Sequence, residues 1–135
     1  MANPFVNDDL GKLILRLSVG ILMLFHGAGK LLNMEGSLQF IGGQLTSLGL
    51  PMEIAYGVFL GEVIAPIMII FGLFTRLGGL LIAGNMVFAI VLVHTAELFT
   101  LGQSGGWALE LQGLFLFGGL SILFLGGGSI AARPD

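Results

Sequence analysis

Two histidines, one mid-chain lysine and a few carboxylates stand out in a chain that otherwise offers almost no ionisable groups. His26 and Lys30 are four residues apart, His94 and Glu97 are three apart, and Glu62 and Glu110 fall within long apolar runs. Spacings of three and four place side chains on one face of a helix. Imidazoles and carboxylates gathered at one level could bind a divalent cation, relay protons, or contact the polar head of a quinone. The Glu-x-x-His pairing expected of two-metal carboxylate bundles is absent from the sequence, so no metal site is expected. That leaves a polar pocket, with residues simply meeting water at headgroup level as its alternative.

Glu62 has the strongest claim to a role. It lies about eight residues into its apolar run, roughly 12 Å along a helix, too deep for a short side chain to reach headgroups. An ionisable group there costs a few kcal/mol, so it calls for a partner or a purpose. Pro66, four residues on, lacks the N–H that would bond the Glu62 carbonyl and bends the helix at that point. Gly57, Gly61 and Ala65 form a ridge of small residues beside it, open to close approach by another helix. Glu62 is therefore expected to face the interior as a catalytic or proton-handling carboxylate; a carboxylate that only locks packing is the alternative. Arg16, His26, Lys30, His94, Glu97 and Glu110 are the accompanying ligand-binding or proton-handling candidates. Arg16 could reach Glu62 only across an axial offset of about 9 Å, so snorkelling to its nearer surface is the simpler expectation. Asn85, mid-way along the third run, is expected to make an interhelical hydrogen bond worth about 1 kcal/mol.

The elements that must carry these residues are membrane helices. Of 135 residues, 56% are hydrophobic and only 10% charged, less than half the charge of an ordinary soluble domain, so the surface must face something other than water. A net charge of −3 with five Lys+Arg leaves no basic footprint for nucleic acid. The absence of cysteine removes disulfides, thiolate metal sites and thiol catalysis. Four apolar runs, at about 13–32, 54–74, 77–95 and 107–125, are each long enough for a crossing of about 20 residues. No basic n-region or cleavage site marks the first as a signal peptide, so it reads as retained. The chain is thus expected to be all-α, a single four-helix transmembrane domain over 1–135.

Lys12, Arg16, Arg76 and Arg133 fall at one side of an even number of crossings, and the positive-inside rule then places both termini in the cytoplasm. Opposite them, Lys30 is accompanied by Glu35, Glu53, Glu62, Glu97 and Glu110. Between the first two helices, Leu38, Ile41, Leu45 and Leu48 recur at helical spacing, with Ser37 as N-cap and Gly49-Leu50-Pro51 as a stop. This predicts a short amphipathic segment on the outer rim, with a partly buried loop as the alternative. The 96–106 connection, rich in Gly and Ser, reads as a mobile loop, and Trp107 as an interfacial anchor.

Taken in order, Arg16 in the first span, HGAGKL at His26–Leu31, GLP at Gly49–Pro51, Glu62, GLFTR at Gly72–Arg76 and GGW at Gly105–Trp107 resemble the DoxX family of small bacterial and archaeal membrane proteins. The resemblance covers nearly the whole chain. It implies a four-helix membrane module, whose namesake is linked to a terminal or thiosulfate:quinone oxidoreductase, while other members accompany oxidative-stress and detoxification systems. Only Arg16, Lys30, Glu62 and Arg76 correspond residue by residue to the family pattern. Without cysteine this chain cannot carry sulfur as a persulfide, so redox chemistry would need a bound quinone or a partner subunit. The expected function is a multi-pass subunit of the prokaryotic plasma membrane (cell inner membrane) linked to quinone-dependent redox or detoxification, partnered by the lipid bilayer and an oxidoreductase complex. The alternatives are proton or small-solute transport through the outer pocket, and a structural or assembly anchor.

Overall fold

The computed structural model describes residues 3–135. Five helices follow one another: α1 (Asp8–Leu32), α2 (Met34–Ser47), α3 (Met52–Phe71), α4 (Thr75–Val93) and α5 (Glu110–Leu125), with no strand among the described residues. α1 starts earlier than its apolar run because the polar residues before it make a good N-terminus. The Asn7 side chain accepts a hydrogen bond from Leu10 N–H at 3.0 Å, and Asp8 and Asp9 sit where the helix dipole favours negative charge.

The connection after α1 is helical. α2 follows Asn33 almost without a break, so Ser37, expected as its cap, lies one turn inside it with its N–H bonded to the Asn33 carbonyl. α2 buries Ile41 and Leu45 against Ala55 and Val58 of α3, with Phe88 and Leu92 of α4 packed alongside. The stop falls as expected: Gly49 adopts φ 76°, and the Gly49 and Leu50 N–H groups bond back to the Thr46 and Leu45 carbonyls. That left-handed turn is open to glycine at little steric cost.

A central core joins Val19 and Met23 of α1, Ala65 and Ile69 of α3, Ile82 and Met86 of α4, and Phe115 and Ile122 of α5. α4 and α5 cross at Gly79 and Gly119, where a Cβ on either would fall 2.6–2.7 Å from the other's carbonyl oxygen. Outside this core, large apolar side chains such as Phe25, Val91, Leu114, Phe117 and Phe124 are exposed. Side chains of that kind in that number suit hydrocarbon better than water. By length and composition α1, α3 and α4 can each cross a membrane.

The last expected span is shorter than its apolar run. α5 begins at Glu110, not at Trp107, because residues 98–108 fold into a compact loop: Trp107 bridges to Leu101, its indole N–H donates to the Leu98 carbonyl, and Ala108 N–H donates to Thr100. The segment expected to be a mobile loop is therefore closed by its own hydrogen bonds. At the other end of the molecule, residues 126–135 leave the helix and fold back. Ser129 bonds to Asp9, Arg76 donates to the Leu123 and Phe124 carbonyls at 2.9 Å, and the Arg133 guanidinium lies 4.9 Å above the Phe74 ring.

Candidate functional site

The site is built on an irregular stretch of α3. This helix opens with a 3₁₀ turn at Met52–Tyr56, passes through a short α stretch at Gly57–Phe59, widens into a π turn at Leu60–Ile64, and returns to α-helix from Ala65. Glu62 stands in the π turn. Pro66 accounts for the break, since it has no N–H to bond the Glu62 carbonyl, and single π turns of this kind are frequent at functional sites. The freed carbonyl turns toward α1 at Gly27, where any Cβ would overlap the Glu62 carbonyl oxygen. On the opposite side, Gly61 lies so close to Asn85 of α4 that a Cβ there would collide with that side chain. Two glycines thus let α1 and α4 close on the Glu62 turn.

Those approaches fix the carboxylate. Glu62 is 6% exposed. Lys30 Nζ donates to Oε1 at 2.6 Å, and Asn85 Nδ2 donates to Oε2 at 3.3 Å, so each oxygen has its own donor from a different helix. A buried carboxylate is tolerable when paired and hydrogen-bonded in this way.

The pair lies in the wall of a cavity of about 420 Å³ between α1, α2, α3, α4 and α5. Met23, Met86, Phe88 and Phe115 give it apolar sides, and His26, Asn33, Ser37, His94 and Gln112 add polar groups. His26 meets Phe115 edge to face, with ring centroids 5.7 Å apart. A mostly apolar cavity with a few convergent polar groups is the usual form of a small-molecule site.

Of the residues singled out in the sequence, the structure brings Glu62, Lys30, His26 and His94 to this cavity. The remaining three lie elsewhere. Glu97 is exposed and reaches the cavity only through His94, whose Nδ1 is 3.1 Å from Glu97 Oε1; His94 caps the end of α4 and Glu97 closes the 3₁₀ turn that follows, so the two do not share the helix itself. Glu110 is exposed against Gly106 of the 98–108 loop. Arg16 neither pairs with Glu62 nor snorkels: it is 1% exposed and donates to the Ile69, Ile70, Gly127 and Ile130 carbonyls at 2.6–3.2 Å. It satisfies the C-terminal end of α3 and holds the chain end against it. Asn85 makes the interhelical bond expected of it, with Glu62 as the partner. Asn33, Ser37 and Gln112 were not anticipated; the four-residue spacing of Asn33 and Ser37 was the available signal.

The DoxX family model matches residues 11–95, which include Arg16, the Lys30–Glu62 pair and Asn85. A Bacillus subtilis (strain 168) protein described as "Putative oxidoreductase CatD" is 35% identical over 108 residues, covering 80% of this chain and 78% of that protein. A Haemophilus influenzae (strain ATCC 51907 / DSM 11121 / KW20 / Rd) protein, described only as uncharacterized, is 31% identical over 121 residues, or 87% and 84% of the two chains. No solved structure matches. Because the family model spans well over half of the sequence and CatD aligns with most of it, the chain belongs to the DoxX family.

Proposed function

We propose that this protein is a multi-pass component of the prokaryotic cytoplasmic membrane working with an oxidoreductase partner, and that the Glu62 cavity receives the polar head of a lipophilic quinone. What carries this reading is the buried Glu62 carboxylate, held between Lys30 and Asn85 in the wall of a cavity of about 420 Å³. A cavity of that size lies within the range of small-molecule sites and accommodates one substituted ring. Lys30, Asn85 and His26 supply donors for ring oxygens, while Phe88, Phe115 and Met86 supply apolar faces. A quinone when bound would supply the two-electron chemistry that no side chain of this cysteine-free protein provides. Lys30 and Glu62 would hold a proton near its oxygen without leaving an isolated charge in a low-dielectric site. Similarity to the protein described as "Putative oxidoreductase CatD" supports the reaction class.

In this reading α1, α3, α4 and α5 form a four-helix bundle across the bilayer as a single domain over 1–135, with α2 on the outer rim. Both termini are cytoplasmic, because Arg16, Arg76 and Arg133 gather with the folded-back chain end at the pole away from Lys30.

The test is titration of purified protein with a ring-only benzoquinone. Wild type binds, and Lys30→Met, which removes a charged donor to a ring oxygen, loses affinity by about tenfold when both proteins are titrated below their unfolding temperatures. Equal binding by both proteins overturns the reading. Solute uptake into liposomes that depends on Glu62 would instead establish transport, and loss of assembly alone would establish an anchoring role.

A further inference from the structure

A second cavity, of about 390 Å³, lies between α3 and α4 and is lined by Gly57, Leu60, Leu80 and Gly84, with Asn85 and Phe88 at its inner edge. Asn85 and Phe88 also line the Glu62 cavity, so the two spaces share one partition. Gly57 and Gly84 are exposed, and a Cβ on either would meet nothing within 4 Å. Neither glycine is needed for helix contact. They keep open a trough that nothing in the fold fills. Asn85 is nine-tenths buried; its bond to Glu62 uses one amide hydrogen and leaves its carbonyl oxygen unclaimed by the described residues.

We propose that this groove is the exit path and seat for the apolar chain of the same ligand whose head occupies the Glu62 cavity, the chain passing between Asn85 and Phe88 to reach the bilayer. The inference rests on the reading of that cavity as a head site. The reason is steric. A cavity of about 420 Å³ that holds a ring has no room for a long hydrocarbon chain as well. Such a chain has to leave the cavity toward lipid, and the partition shared with a glycine-floored apolar groove between α3 and α4 is the route assigned to it here. Burial in the groove gives the chain little over lipid, since both are apolar; what the groove supplies is clearance. Asn85 then contacts Glu62 on one side and the passing ligand on the other, and thereby sets which ligands fit: a ring with a single flexible chain, entering from the membrane.

The experiment compares a ring-only benzoquinone with the same ring bearing a decyl chain, both titrated into the full-length protein in nanodiscs, using wild type, Gly84→Leu and Gly57→Leu. A leucine at either position starts from a Cβ that meets nothing within 4 Å and projects into the groove, and the two variants guard against misfolding of one. Both are expected to weaken the decyl-bearing ligand by about tenfold or more while leaving ring-only binding within about twofold. If wild type binds both ligands and neither variant discriminates between them, the groove inference alone falls. The same holds if decanol displaces the decyl-bearing ligand as well as the ring-only compound does, because the groove would then be a general lipid seat. If wild type binds neither ligand, the head-site reading falls and the groove inference with it.

Discussion

Lys30 and Glu62, 32 residues apart in sequence, meet at 2.6 Å across the α1–α3 contact, and the meeting depends on Gly27, one turn before Lys30. The lysine side chain is 29% exposed and the glutamate side chain 7%, so the pair joins a partly open end to a closed one. One helical turn of α1 thus carries both the close approach and the counter-charge. On α3, Pro66 opens the turn that Gly27 meets, and Gly61 admits Asn85 from the far side. Site geometry and helix packing are here the same contacts.

Removing one member of this pair costs more than removing both. Lys30→Met strands a carboxylate that keeps only Asn85, which is expected to destabilise the fold by about 1–3 kcal/mol, less than for a fully enclosed pair because Lys30 is partly solvated. The Lys30→Met/Glu62→Gln double variant leaves no charge to desolvate and recovers much of that loss. Thermal unfolding of the four proteins of the cycle measures it, and additive losses would show that the two groups are not coupled.

The glycines of the HGAGKL stretch are predicted to behave oppositely. A Cβ on Gly27 overlaps the Glu62 carbonyl oxygen, whereas a Cβ on Gly29 meets nothing within 4 Å. Gly27→Ala forces α1 away from α3, at a cost of about 1–3 kcal/mol, and lengthens the Lys30–Glu62 contact. Gly29→Ala gains helix propensity and is expected to be neutral or stabilising by up to about 1 kcal/mol. Melting temperatures of the two variants decide the matter, and equal effects would contradict the asymmetry.

Much of this was legible in the sequence, and the failures have physical causes. Apolar runs of membrane length locate α1, α3 and α4, and a carboxylate far from either end of its run marks Glu62, because hydrocarbon makes such a residue costly. The Gly49-Leu50-Pro51 stop was legible because its conformation is local. The partner of Glu62 was not. Arg16 drew attention as an arginine within an apolar run, yet carbonyls left free by the end of α3 and by the chain end satisfy it, and those lie over 50 residues away in sequence. The start of α5 was missed because the contacts of Trp107 with Leu98 and Leu101 compete with helix, and hydropathy does not register them.

Arg16 is predicted to hold structure rather than ligand. Its guanidinium serves four carbonyls at once, a geometry that an ammonium on a flexible stem does not reproduce. Arg16→Lys should therefore lower stability by roughly 2 kcal/mol or more and release residues 126–135. Limited proteolysis would then clip the chain end of the variant under conditions that spare wild type. Ring-only quinone affinity should change little, because Arg16 does not line the cavity; a selective loss of affinity without added protease sensitivity would return Arg16 to the binding site.

Orientation in the membrane can be tested with unusual economy, because the chain has no cysteine and any introduced thiol is the sole labelling site. At Gly43 of α2 a Cβ would project into open space, which suits a probe on the rim expected to face outward. Ala132, whose N–H bonds the Phe71 carbonyl, lies in the folded-back end near Arg133 and reports on the opposite pole. In intact cells, a membrane-impermeant maleimide should label Gly43→Cys and spare Ala132→Cys until the membrane is opened. The prediction follows from the charge distribution, since arginines gathered at one pole favour the cytoplasmic side. The reverse pattern would place the Lys30–Glu62 cavity on the cytoplasmic side, and a redox partner would then have to be sought there.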